Sequence, residues 1–140
     1  MTDYADAQTI LDAKLATVTG IPAITTENER IKTGTTTSFC RSYFEPTETE
    51  QECIGVLGTD RLNGLFIVDL FYPKDAGVAD PNADIDAITV AFEAGTILTD
   101  LSDNKVEIFN SWSNGSLPDL EKFYRKQVLI SWRARRQRSV

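Results

Sequence analysis

Residues 64–73, GLFIVDLFYP, form the most apolar segment of the chain, and their reading decides the fold. In a strand, alternate side chains point to opposite faces. Leu62, Gly64, Phe66, Val68, Leu70 and Tyr72 therefore share one face, and Leu65, Ile67, Asp69 and Phe71 the other. Both faces are largely apolar, so a strand over 62–72 belongs in the centre of a sheet. Asp69 is the exception. A carboxylate there needs a partner, and Arg41 or Arg125 could supply it.

Upstream, Cys40, Ser42 and Phe44 alternate with Phe39, Arg41 and Tyr43, which predicts a second strand over 38–44 that Pro46 stops. Glu45, Glu48, Glu50 and Glu52, with Thr47 and Thr49 between them, then read as a solvated acidic loop. A calcium loop would add a defined glycine turn, which this stretch lacks, so no metal is assigned. Residues 53–57 read as a short strand, closed off by the turn signal at 58–61. A weak strand through Ile24 and a loop at 33–37 precede them. The chain opens with Tyr4, Ala7, Ile10, Leu11, Leu15 and Val18 at helical spacing, with Thr2 or Asp3 as cap and Gly20 and Pro22 as terminators.

Downstream, Asp80 and Pro81 are a cap and a first-turn proline. The helix that follows places Ile85, Ile88, Ala91 and Phe92 on one side and ends at Gly95 or Thr96. Residues 105–110 predict a strand, 111–118 a loop holding Trp112, and 123–133 a last strand. Residues 134–140 are expected as a basic C-terminal tail, either flexible or engaged in contacts. The expectation is one α+β domain over 1–140, a mostly antiparallel β-sheet packed against two main α-helices.

Composition narrows the function. The chain has no histidine, which removes the commonest general base, nucleophile partner and metal ligand. Its two cysteines, Cys40 and Cys53, lack redox or zinc spacing and are expected to be reduced. With no long apolar run and no leader-like start, a cytosolic location is expected. Charge is uneven: residues 122–140 hold seven bases and no acid, so they stand at +7, while the rest, with seven bases and all 21 acids, stands at −14. The acidic body disfavours sequence-independent binding along nucleic acid. An acidic face and a basic end could instead attract each other between protein copies.

Taken together, GLFIVDLFYP, the helix ADIDAITVAFEAGTIL, the strand KVEIF, the final KFYRKQVLISWRA and the opening ILDAKLATV resemble the tail terminator-like proteins of long-tailed bacteriophages. The resemblance covers nearly the whole chain, leaving out residues 53–57 and the RARRQRSV end. It implies a non-enzymatic virion protein without a cofactor, commonly a hexameric ring on the head-proximal end of the tail tube. Such a ring stops tube polymerisation and offers the surface that joins the head. The partners implied are other copies of the chain, the tube protein and a head-neck connector, with assembly in the bacterial cytoplasm. The candidate contact residues are Arg133, Arg135, Arg136, Arg138, Glu45, Glu48, Glu50, Glu52 and Trp112. DNA passing through the ring lumen is a further candidate partner for the arginines. Two other readings remain open: another neck or tail-completion adaptor of similar fold, and an enzyme using Asp69 and a loop acid as acid and base.

Overall fold

The apolar segment extends in both directions into the 15-residue strand β3 (Thr59–Pro73). The computed structural model describes residues 2–26, 38–52, 55, 58–73, 81–120 and 123–137. Around β3 stand α1 (Tyr4–Ala16), β1 (Ala23–Thr26), β2 (Phe39–Gln51), α2 (Pro81–Ala91), β4 (Ile97–Thr99), β5 (Lys105–Leu120) and β6 (Phe123–Gln137). The sheet order is β1-β2-β3-β6-β5-β4. β1 runs parallel to β2 and the other neighbours pair antiparallel, so the fold is α+β with a mostly antiparallel sheet, as expected. β3 lies between β2 and β6, and it pairs with β6 without a register shift from Thr59 opposite Gln137 to Pro73 opposite Phe123.

Both helices lie on one face of this sheet. Ala7, Ile10, Leu11 and Leu15 of α1 and Ile88 of α2 join one buried cluster with Phe66, Val68, Leu70 and Tyr72 of β3. Val128, Ile130 and Trp132 of β6 and Val106 and Ile108 of β5 complete it. At about 25 cal/mol per Å² of apolar surface, this burial is the main force holding helices to sheet. α1 begins with a reciprocal cap: the Asp6 N–H donates to Asp3 Oδ1 at 2.9 Å and the Asp3 N–H to Asp6 Oδ2 at 3.3 Å. Gly64 lets β3 and β6 meet closely under the helices. A Cβ there would lie 2.6 Å from Trp132 Cζ2 and 2.8 Å from the Glu45 carbonyl oxygen. The Trp132 indole fills that space and stacks on Phe44, centroids 5.1 Å apart.

Several sequence expectations are corrected. Pro46 does not stop β2, which runs on to Gln51 with a register shift between Pro46 and Thr49. Among the described residues β1 pairs only with Phe39 to Ser42, so at Pro46 β2 is the outer strand and the missing N–H deprives no second neighbour. The supposed acidic loop is therefore strand as far as Gln51, and Glu45, Glu48 and Glu50 stand along an edge, where charge discourages pairing with other chains. The turn sits earlier than 58–61: the Gly58 N–H donates to the Gly55 carbonyl at 3.1 Å, and Gly55 holds φ 111, a conformation open to glycine. Thr59 already belongs to β3.

Residues 111–118 are not a loop. β5 continues through them to Leu120, paired with β6 across three register shifts that absorb its polar, glycine-containing sequence. The last strand runs beyond Arg133 to Gln137, with Asp60 opposite Arg136 and Arg61 opposite Arg135. β4, three residues long, has no counterpart in the sequence reading. The loop expected at 33–37 lies outside the described residues, as does the strand expected at 53–57 except for Gly55.

Candidate interaction surface

The strand registers bring much of the acidic segment and the basic end to one end of the sheet. Glu50 of β2 lies opposite Arg61 of β3, which lies opposite Arg135 of β6. Arg61 pairs with Glu50, and Arg135 Nε lies 3.1 Å from Glu52 Oε2 in an ion pair. Arg133 makes a two-pronged pair with Glu107, Nε to Oε2 at 3.1 Å and Nη2 to Oε1 at 2.8 Å, and covers the Phe109 ring at 5.5 Å. That hydrogen-bonded contact holds the Glu107 carboxyl below its ordinary range and raises the Arg133 guanidinium. Arg136 lies 5.6 Å over the ring of Tyr4. Thr2 ties the chain start to this end: its hydroxyl donates to the Lys105 carbonyl at 3.0 Å and accepts from the Lys105 N–H at 2.9 Å. A surface hollow of ≈ 340 Å³ opens between Arg61, Ile97, Lys105, Glu107, Arg133 and Arg135.

Charges read from sequence as an acidic body and a basic end are thus paired in part within one subunit. Glu48 sits on β2, where its carbonyl accepts from Asn63 Nδ2 at 3.2 Å, and Glu45 is exposed opposite Leu65. Arg138 lies outside the described residues. Trp112 is not in a loop. It stands on β5 opposite Leu129, 37% exposed and apart from the charged end.

Trp112 leads instead to a surface the sequence reading did not single out, the sheet face turned away from the helices. Tyr43, Ile67, Leu129 and Trp112 face one another in register across β2, β3, β6 and β5. All are at least partly exposed, and Leu65 and Phe109 lie close by on the same face, Phe109 at 62% exposure. The signal was available: Leu65, Ile67 and Phe71 make the second face of β3 largely apolar in the sequence itself.

A polar row borders this band. Arg41, Asp69 and Gln127 lie opposite one another on β2, β3 and β6. Asp69, 4% exposed, accepts from Gln127 Nε2 at 2.9 Å and lies 3.8 Å from Arg125 Nη1. Burial pushes its pKa up, against the Gln127 hydrogen bond and the charges of Arg125 and Arg41. Of the two arginines expected as its partners, Arg125 lies within ion-pair distance and Arg41 stands opposite in register, while Gln127, not foreseen, supplies the hydrogen bond. Cys40 is buried under the helices, its thiol pushed up to about 12 chiefly by desolvation, while Cys53 lies outside the described residues. Among the described residues no group of three or more His, Cys, Asp or Glu side chains could hold a metal ion.

Residues 7–132 match the phage tail terminator protein family. The chain belongs to that family. It is a family of structural components of the phage tail, not one of enzymes. No curated protein matches the sequence. A solved protein structure shares the fold with a TM-score of 0.65 at 13% sequence identity, over 93% of this chain and 91% of its own. The fold and the family therefore agree with the resemblance carried by GLFIVDLFYP and the segments around it.

Proposed function

We propose that the protein closes into a ring, of six copies, on the head-proximal end of the tail tube, where it stops tube growth and presents the surface that joins the filled head. The observation that carries this reading is the family match across residues 7–132. The subunit would meet copies of itself, the tube protein below and a head-neck connector above, in particles assembled in the bacterial cytoplasm, without catalysis or a cofactor. Arg133, Arg135, Arg136, Arg138, Glu45, Glu48, Glu50, Glu52 and Trp112 are its proposed contact residues, with DNA in the lumen a further neighbour of the arginines.

The pairing of Arg133, Arg135 and Arg61 with acids of their own chain refines the electrostatic part. These arginines act first as ties between strands, and an approaching partner must share them with Glu107, Glu52 and Glu50. The experiment is to add purified protein to tube protein during polymerisation and measure tube length by electron microscopy. A terminator shortens and evens the length distribution as its concentration rises. Unaltered tube lengths, with binding to isolated necks, would replace this reading with that of a neck adaptor.

A further inference from the structure

The dipeptide Asn-Gly occurs twice in the chain, at Asn63-Gly64 and at Asn114-Gly115. Asparagine is among the chemically labile residues, and a glycine after it leaves the next backbone nitrogen uncrowded and free to turn. That nitrogen can then attack the asparagine's own side-chain carbon. The attack requires the asparagine backbone to leave the extended conformation, so a strand paired on both sides resists it. The two copies of the dipeptide sit in opposite settings.

Asn63-Gly64 is held throughout. It lies in β3 between β2 and β6, with Asn63 opposite Arg133 and with Gly64 opposite Trp132 on one side and Pro46 on the other. Gly64 is buried, and a single added Cβ there already meets Trp132 at 2.6 Å. The Asn63 amide is drawn towards β2, where its Nδ2 donates to the Glu48 carbonyl at 3.2 Å. Asn114-Gly115 lacks these restraints. Between Ser113 opposite Val128 and Ser116 opposite Lys126, β5 places two residues, Asn114 and Gly115, against Gln127 alone. Such a bulge leaves one residue outside the ladder and bends the strand. β4 pairs only with Lys105 to Glu107, so among the described residues no second strand flanks β5 at this point. Asn114 is exposed, and its Nδ2 donates to Gln127 Oε1 at 3.2 Å, within reach of water.

We propose that Asn114 is a site of spontaneous deamidation, in which the Gly115 nitrogen closes a succinimide ring on the Asn114 side chain and water opens it to aspartate or isoaspartate. The Gly115 nitrogen gives its proton to hydroxide and forms a bond to Asn114 Cγ. The bond from Cγ to Nδ2 then breaks, and ammonia leaves with a proton taken from water. Water adds to either carbonyl carbon of the ring and breaks its bond to the nitrogen, which regains a proton. Water is the sole co-reactant. The product is an acid where an amide donated. Gln127, which accepts from Asn114, donates through Nε2 to Asp69 at 2.9 Å. A carboxylate at position 114 sets acceptor against acceptor, so Gln127 must turn towards it at the expense of Asp69. Asn110-Ser111 is the next candidate on β5: the Ser111 N–H already donates to Asn110 Oδ1 at 2.9 Å, but the serine side chain crowds the attack.

The test keeps the full chain for days in mildly alkaline buffer, cleaves it with an acid-active protease and places the conversion by fragmentation mass spectrometry. Asn114 should convert first and Asn110 behind it. Asn63 should lag Asn114 roughly tenfold or more, because it reacts only when the sheet opens. In urea, with both dipeptides unfolded, Asn63 should catch up. Asn114→Gln, whose longer side chain closes the ring poorly, should remove the leading product while the chain still folds. Asn114 left intact in the folded chain would overturn the proposal, as would Asn63 or Asn110 converting as fast without urea. Asn114→Asp reads the consequence directly: it should melt below the wild type, and an equal melting temperature would overturn the link through Gln127.

Discussion

The two faces of the sheet use similar residue types to opposite ends. Under the helices, Trp132, Phe66 and Phe92 are at most 1% exposed, whereas across the sheet Phe109 is 62% and Trp112 37% exposed. Both sets are aromatic and both sit on or beside the same strands, so what separates them is the layer above. The covered face has its helical layer from its own chain. The other face has no helix over it among the described residues; Phe39 and Phe71 on it are buried and stacked on each other, and its charges are organised laterally, by Arg133 with Glu107 and by Asp69 with Gln127 and Arg125. Apolar burial is thus concentrated on the helix side, with more exposed aromatic surface on the other.

Substitutions break this contrast in a definite order. Trp132→Ala should cost about 3–5 kcal/mol, because it empties the space beneath Gly64 and unstacks Phe44. Urea unfolding checks it, and a loss no larger than that of an aromatic on the other face would erase the contrast. Gly64→Ala adds a single methyl where Trp132 and the Glu45 carbonyl already meet, and should cost about 1–3 kcal/mol by the same assay. A neutral result would mean that Trp132 can move aside. Phe109→Ser, on the other face of the same sheet, should change stability by no more than about 1 kcal/mol, the worth of an exposed contact with Arg133.

The smallest expected effect is a slope. Burial raises the Asp69 pKa, so above about pH 4 the folded chain keeps a proton that the unfolded chain has released. Stability contributed by this group therefore falls as pH rises from the unfolded pKa to the raised folded one. Asp69→Asn has no such titration. The melting temperature of the wild type, compared with that of Asp69→Asn, should decline across this window. A difference that is flat or rises with pH would show that Arg125 and Arg41 outweigh desolvation.

The same contrast explains what the sequence made legible. Residues whose pattern is set by the core were readable: the two-sided apolar run of β3, the capped helical spacing of α1 and the start of α2 at Pro81, its expected cap Asp80 lying outside the described residues. Strand ends were not, because they lie where the sheet is held by charge and pairing rather than by burial. Glu45 to Gln51 look like loop because acids line them, yet an edge strand tolerates both the acids and Pro46. Ser111 to Pro118 look like loop because Ser, Asn and Gly dominate, yet β6 supplies the hydrogen bonds and the register shifts absorb the misfit. The contact residues named from charge, Arg133 and Arg135 among them, proved to be partnered at home. Trp112 was named as an aromatic in a supposed loop, and its setting in a row with Tyr43, Ile67 and Leu129 could be seen only with the register in hand.

The place of β6 in the sheet also has a consequence in time. It is the last described element in chain order, yet it lies between β3 and β5 near the middle of the sheet. While the chain is being made, β2 with β3 and β4 with β5 are hairpins with no strand between them, although α1 packs on both. Pairings so distant in sequence form late, since the loop entropy is met before the contacts return it. The subunit therefore completes its sheet only once β6 has left the ribosome, and a broken-off chain lacks the strand that unites its halves. An unfinished copy, without β6, has no continuous sheet between β3 and β5 to offer a partner.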